Sequence, residues 1–200
     1  MLLSITGSLS QVLITFCVGL LALHYYLFHQ LQYTRFSTAL LVVACIVILI
    51  SCALFFNIQV IAKKWKKGNF IHKLIPYRTE AIELAQSKLI FITSLSLLRF
   101  VIFSLQYYFL LHFFNLINSP FQSLALIALY FFIVSLIPTY ALSELGVRGS
   151  VAIALFCPNA AYCAPVFAAS LLLWIINLAL PALVGALFVY QLKFFSAENE

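Results

Sequence analysis

The stretch "FQSLALIALYFFIVSLIPTYALSELGVRGSVAIALF", residues 121–156, decides the fold. It opens with an uncharged run, 121–137, that Pro138 closes, and it ends on a second apolar run, "VAIALF". Between them Glu144 and Arg148 stand among Ser143, Gly146, Gly149 and Ser150. Uninterrupted apolar runs of this kind suit a segment bathed in hydrocarbon, where backbone polar groups are satisfied inside a helix. A carboxylate and a guanidinium in that setting need a partner or water.

The whole chain has the same character. Of its 200 residues 65% are hydrophobic and 8% charged, whereas a soluble domain carries roughly a quarter charged residues. The mean hydropathy of +1.12 agrees. These values indicate an integral membrane protein. Aspartate is absent, and the acids are Glu80, Glu83, Glu144, Glu198 and Glu200. The formal charge is +6, but seven of the eleven Lys and Arg lie between Lys63 and Lys88. A basic segment flanked by apolar spans marks the cytoplasmic side, so no nucleic-acid partner is expected. "MLLSITGSLSQVLITF" lacks a positive n-region and a small-residue cleavage site, so no cleaved targeting segment is expected.

A spanning helix needs about 20 apolar residues at about 1.5 Å each. On that ruler the expected spans are 11–28, 39–62, 89–117, 121–137 and 165–190, the last interrupted by Pro181, with a cytoplasmic basic segment at 63–88. Counting from that segment, the third span leaves the cytoplasm and the fourth returns. Residues 139–157 then hold too many glycines and charges for a regular span. The expected fold is therefore all-α: one transmembrane domain over 1–200, a polytopic bundle of about five to six membrane segments, with a broken or re-entrant helix near 138–157.

Two readings of Glu144 and Arg148 follow from the residues. They are four apart with the acid first, the favoured order for a helical pair. In one reading they snorkel to water at the inner interface and pin topology. In the other, a broken helix presents Arg148, loose backbone at Gly146 and Gly149, and the Ser143 and Ser150 hydroxyls to a polar headgroup, because a planar guanidinium can grip phosphate at two points. Arg99 and Gln106, seven apart in the third span, share a helix face. Arg99 has three readings: a pair with Glu144, a contact to an anionic substrate, or a reach to the inner interface.

His24, His29 and His112 lack further ligands at metal spacing, so no metal or other cofactor is expected. Cys17, Cys45, Cys52, Cys157 and Cys163 include no CxxC pair and are expected to act mainly as small apolar fillers. A Cys157–Cys163 disulfide on a non-cytoplasmic turn is the lesser expectation.

"LIPTYALSELGVRGSVAIALF" resembles the C-terminal motif of the bacterial lysylphosphatidylglycerol synthase transmembrane region family, a flippase-like membrane domain. Pro138, Gly146, Val147 and Arg148 match, while Gly149 and Ser150 follow Arg148 where many members have an acid. "SLLRFVIFSLQYYFLLHFF", with Arg99 and Gln106, is similar to the family's penultimate conserved region, and "GSLSQVLITFCVGLLAL" to a middle span. The resemblance implies further N-terminal helices in a full-length member, and the soluble aminoacyl-transferring domain has no counterpart here. It implies a protein of the bacterial cytoplasmic membrane that binds or moves a lipid with a polar head.

The leading expectation is thus a flippase-like protein handling a phospholipid or other lipid-linked head through a polar cavity. Its expected partners are membrane lipid and either a second copy or another membrane chain. An accessory subunit without transport of its own is the alternative. A membrane-embedded lipid-modifying enzyme is disfavoured, because no acid/base pair, nucleophile motif or metal cluster is visible.

Overall fold

The computed structural model describes residues 2–29, 34–57, 86–117, 119–138, 141–157 and 159–197. Among them it is helical, with no strand. The helices are α1 (Leu2–His29), α2 (Thr34–Phe56), α3 (Gln86–Phe113), α4 (Pro120–Leu136), α5 (Ala141–Phe156) and α6 (Ala160–Trp174). A π-helical turn, Ile175–Ala179, joins α6 to α7 (Leu180–Ala197). The expected ends at 58–62 and the basic segment as far as residue 85 lie outside the described residues.

Local chemistry explains the helix ends. At the end of α3, Asn115 takes a left-handed φ of 54°. Its N–H donates to the His112 carbonyl at 2.9 Å and the Leu116 N–H donates to Leu111 at 3.0 Å. These two bonds form a Schellman cap, and asparagine is the non-glycine residue best suited to that backbone. The cap stops α3 four residues before the expected limit of 117. At the start of α4, Pro120 occupies the first helical position, where its missing N–H costs nothing.

Gly146 and Gly149 do not break the helix; residues 139 and 140 of the expected broken or re-entrant stretch near 138–157 lie outside the described residues. α5 is continuous through Gly146 and Gly149, and the chain turns before it, around Ile137 and Pro138. A mid-helix glycine costs only about 1 kcal/mol relative to alanine, and the Phe167 ring lies where a Cβ of residue 149 would stand. The irregular backbone lies further on. Leu180 donates to Ile175, five residues back, one residue before Pro181. Widening the turn there lets the proline ring pass the preceding carbonyls without a clash.

The chain divides into two compact units. The first comprises Met1–Leu105 and Leu124–Leu136. Within it α1 packs along α2 and touches α4 closely at Gly19, where a Cβ would collide with Phe132. Phe16 meets Phe132 edge-on at 5.2 Å, and Phe100 meets Phe131 at 6.0 Å. Ser10 and Thr93 share a hydrogen bond of 3.2 Å between α1 and α3. Small residues at close helix crossings and hydroxyls bonded between helices are the devices by which helices associate in lipid.

The second unit comprises Gln106–Ser123 and Ile137–Glu200. Here α5 and α6 form a hairpin, with Ala152, Phe156, Val166, Ala169 and Leu173 in its core. Tyr107 meets Phe156 edge-on at 5.7 Å. Cys157 and Cys163 are joined by a disulfide across the turn, with Cα atoms 5.1 Å apart. The pairing of the lesser expectation is present in place of the filler reading, because the α5–α6 turn brings the two Cα atoms within bonding range. Cys17, Cys45 and Cys52 are free thiols.

Among the described residues, three stretches are long and apolar enough to cross a membrane: Thr6–Phe28, Ser87–Phe113 and Ala160–Tyr190. The apolar parts of α2 and α4, Leu41–Ala53 and Pro120–Leu136, are shorter. Wide apolar faces stay exposed, among them Val42, Val43, Ile46 and Leu49 of α2 and Leu183, Leu187 and Phe188 of α7. Faces of that extent exceed what a soluble monomer carries. Several hydroxyls on these helices are satisfied locally. Thr15 donates to Gln11 at 2.9 Å, Thr93 to Leu89 at 2.8 Å and Ser170 to Phe167 at 3.0 Å, each through a backbone carbonyl.

Candidate functional site

α5 sorts its residues by face. An α-helix turns about 100° per residue, so Leu145, Gly149, Ala152 and Phe156 form one stripe. Gly149, Ala152 and Phe156 are buried. Gly149 is buried under the ring of Phe167, and any Cβ there would strike that ring. Beside the stripe lie Glu144 and Arg148. Arg148 donates from Nε at 2.8 Å and from Nη2 at 2.6 Å to the same oxygen, Glu144 Oε1. Their side chains are 17% and 21% exposed, so the pair is neither in the core nor free in solvent.

Converging both donors on one oxygen leaves capacity unused. Glu144 Oε2 and Arg148 Nη1 have no protein partner among the described residues. Glu144 also stands in the first turn of α5, where a negative charge complements the helix dipole. The pair is thus pre-oriented, with an acceptor and a donor still to spend.

Within α5, Ser143, Gly146 and Ser150 are not gathered around it. Ser150 is two residues past Arg148 and so about 200° around the helix from it. Ser143 and Ser150 are exposed on the far flank. Gly146 is also exposed, with open space where a Cβ would stand. The expected ring of glycine backbone and hydroxyls around Arg148 needed an unwound segment, and a regular helix disperses it.

Arg99 belongs to the first unit and Gln106 to the second. The Arg99 guanidinium lies over the Phe103 ring, 5.0 Å from its centroid, and the residue is exposed. Gln106 Oε1 is buried without a hydrogen-bond partner among the described residues, as is the indole N–H of Trp174 at the edge of the π-helical turn. The sequence reading missed Trp174; Pro181, seven residues on, was the available sign of irregular backbone nearby.

No family model, curated protein or solved structure matches the chain. The family resemblance stands on its quoted residues alone.

Proposed function

We propose that this chain is a multi-pass protein of the bacterial cytoplasmic membrane that binds or translocates a phospholipid, or another lipid-linked polar head, along the α5 face bearing Glu144 and Arg148. The observation that carries the reading is the half-buried ion pair with one donor and one acceptor unspent. Phosphate would take Arg148 Nη1. Glu144 would hold the guanidinium in place or receive a cationic head, while the acyl chains stay in the bilayer.

The membrane setting is supported by the three long apolar stretches and by the disulfide. Disulfides persist in oxidising compartments, so the α5–α6 turn belongs on the non-cytoplasmic side. Counting from a cytoplasmic basic segment, α3 outward, α4 inward and α5 outward, reaches the same side. Arg148 is nine residues before Cys157 and so about 13 Å deeper. That depth is near the middle of a core about 30 Å thick, which favours a paired arginine over a snorkelling one.

The test is lipid retention by gently purified wild type, Arg148→Lys and Arg148→Ala at matched expression and matched melting temperature. Lysine keeps the charge but loses the planar fork. Losing a charge-assisted hydrogen bond of about 1.5 kcal/mol corresponds to roughly tenfold weaker binding. Alanine is expected to lose more, because it also strands Glu144. Equal retention of the same lipids by all three would make Arg148 a topology anchor.

A further inference from the structure

Arg99 is the most costly residue of α3 to leave in hydrocarbon. The guanidinium does not deprotonate in proteins, and a charge at membrane depth demands a partner. Lys88, exposed at the start of α3, suits a water interface. Arg99 stands about 16 Å beyond it, roughly half the thickness of the hydrocarbon core. Sliding the helix until Arg99 reached the interface would leave residues 100–113 to cross. They extend about 21 Å, well short of about 30 Å.

The guanidinium nevertheless points outward. Its contact is the face of Phe103, and Leu95, Leu98 and Ile102 around it are 50%, 54% and 44% exposed. Glu144 is the one carboxylate among the described residues, and it is committed to Arg148.

We propose that this face of α3, centred on Arg99 and bordered by Leu95, Leu98 and Ile102, docks a transmembrane helix of a different protein that carries an Asp or Glu near its midpoint. Charge complementarity selects this occupant. Among its described residues a second copy brings no uncommitted carboxylate, and a two-fold contact through this face sets Arg99 against Arg99. A phospholipid in the surrounding bilayer, outside a polar path such as the one proposed at Arg148, keeps its phosphate at the interface, about 15 Å from the midplane. A helix with a mid-span acid meets both needs, covering the leucines and isoleucine and neutralising the guanidinium. The inference rests on the membrane reading above.

The test places a photoreactive amino acid at position 98 or 102 of the full chain, expressed in its native host and irradiated in intact membranes. Carbonate-resistant membrane association is checked first, since its failure sinks the membrane reading itself. The expected result is a crosslink to one membrane polypeptide whose sequence has a mid-span acid. Arg99→Leu is expected to lower its yield about tenfold or more, with Arg99→Lys retaining most of it. Arg99→Glu is expected to abolish the product, and Lys at the partner's acid to restore it. A melting midpoint matched to wild type certifies folding of each variant. A membrane-embedded chain that crosslinks only to lipid, only to itself or to nothing overturns the proposal, as does a protein partner whose yield ignores Arg99.

Discussion

Gly19 and Gly149 are each covered by a phenylalanine, but the two rings differ in freedom. Phe132 is buried and opposes Gly19 with its own Cβ and ring root, atoms that cannot move without the backbone. Phe167 is 41% exposed and meets Gly149 with the outer edge of its ring, which can swing aside. Overpacking costs typically about 1–3 kcal/mol, so Gly19→Ala is expected to fall at or above the top of that range and Gly149→Ala near the bottom. Gly146 faces open space, and alanine there gains about 0.5–1 kcal/mol of helix propensity. Melting midpoints in one detergent should therefore rank Gly146→Ala above wild type, then Gly149→Ala, then Gly19→Ala. A destabilised Gly146→Ala would mean that something not yet identified approaches that glycine.

The helices show which features a sequence carries openly. The apolar run of α4 is legible to within a residue, because burying its backbone in a helix is the cheapest choice available to it. The end of α3 is not, since the cap at Asn115 competes with a further run of apolar residues that would also tolerate a helix. In α5 two glycines and two charges mislead. The Glu144–Arg148 pair is a helical contact in its own right, and Phe167 fills the notch at Gly149, so the same residues favour continuity. That the pair would form was readable from its spacing; that Ser143 and Ser150 would stand apart from it follows only from an unbroken helix. Cysteine spacing likewise says little until a turn brings the two sulfurs together. The disulfide then clamps the α5–α6 hairpin, and closing so short a loop stabilises by about 2 kcal/mol on the chain-entropy account. Reductant is expected to lower the melting midpoint of wild type and to leave the Cys157→Ser, Cys163→Ser double variant unchanged. Equal sensitivity in both would remove the clamp from the account of the site.

For the molecule as a whole, sidedness is a matter of parity. If the 63–85 segment is cytoplasmic and α3, α4 and α5 each cross, the α5–α6 turn lies outside after three crossings. If α5 dips in and returns, the turn is cytoplasmic, where thiols are kept reduced. The oxidation state of Cys157 and Cys163 in cells therefore reports whether α5 crosses, although at 16 residues it extends only about 24 Å and needs tilt, flanking residues or a thinned bilayer to do so. Cells are quenched with acid and denatured without reductant, and free thiols are counted by a mass-tagged maleimide. The expected count is three, from Cys17, Cys45 and Cys52, rising to five after reduction, the chain's full complement. A second label joins the count to a side. Single cysteines introduced at positions 68 and 72, in a chain with its five native cysteines replaced by serine, are expected to resist a membrane-impermeant maleimide applied to intact cells and to react once the cells are opened. Three thiols with protection at 68 and 72 requires an odd number of crossings between them and the disulfide. Five free thiols with the same protection requires an even number, makes α5 re-entrant, and moves Arg148 from the middle of the membrane to within reach of the cytoplasmic interface, where the snorkelling reading of the pair prevails.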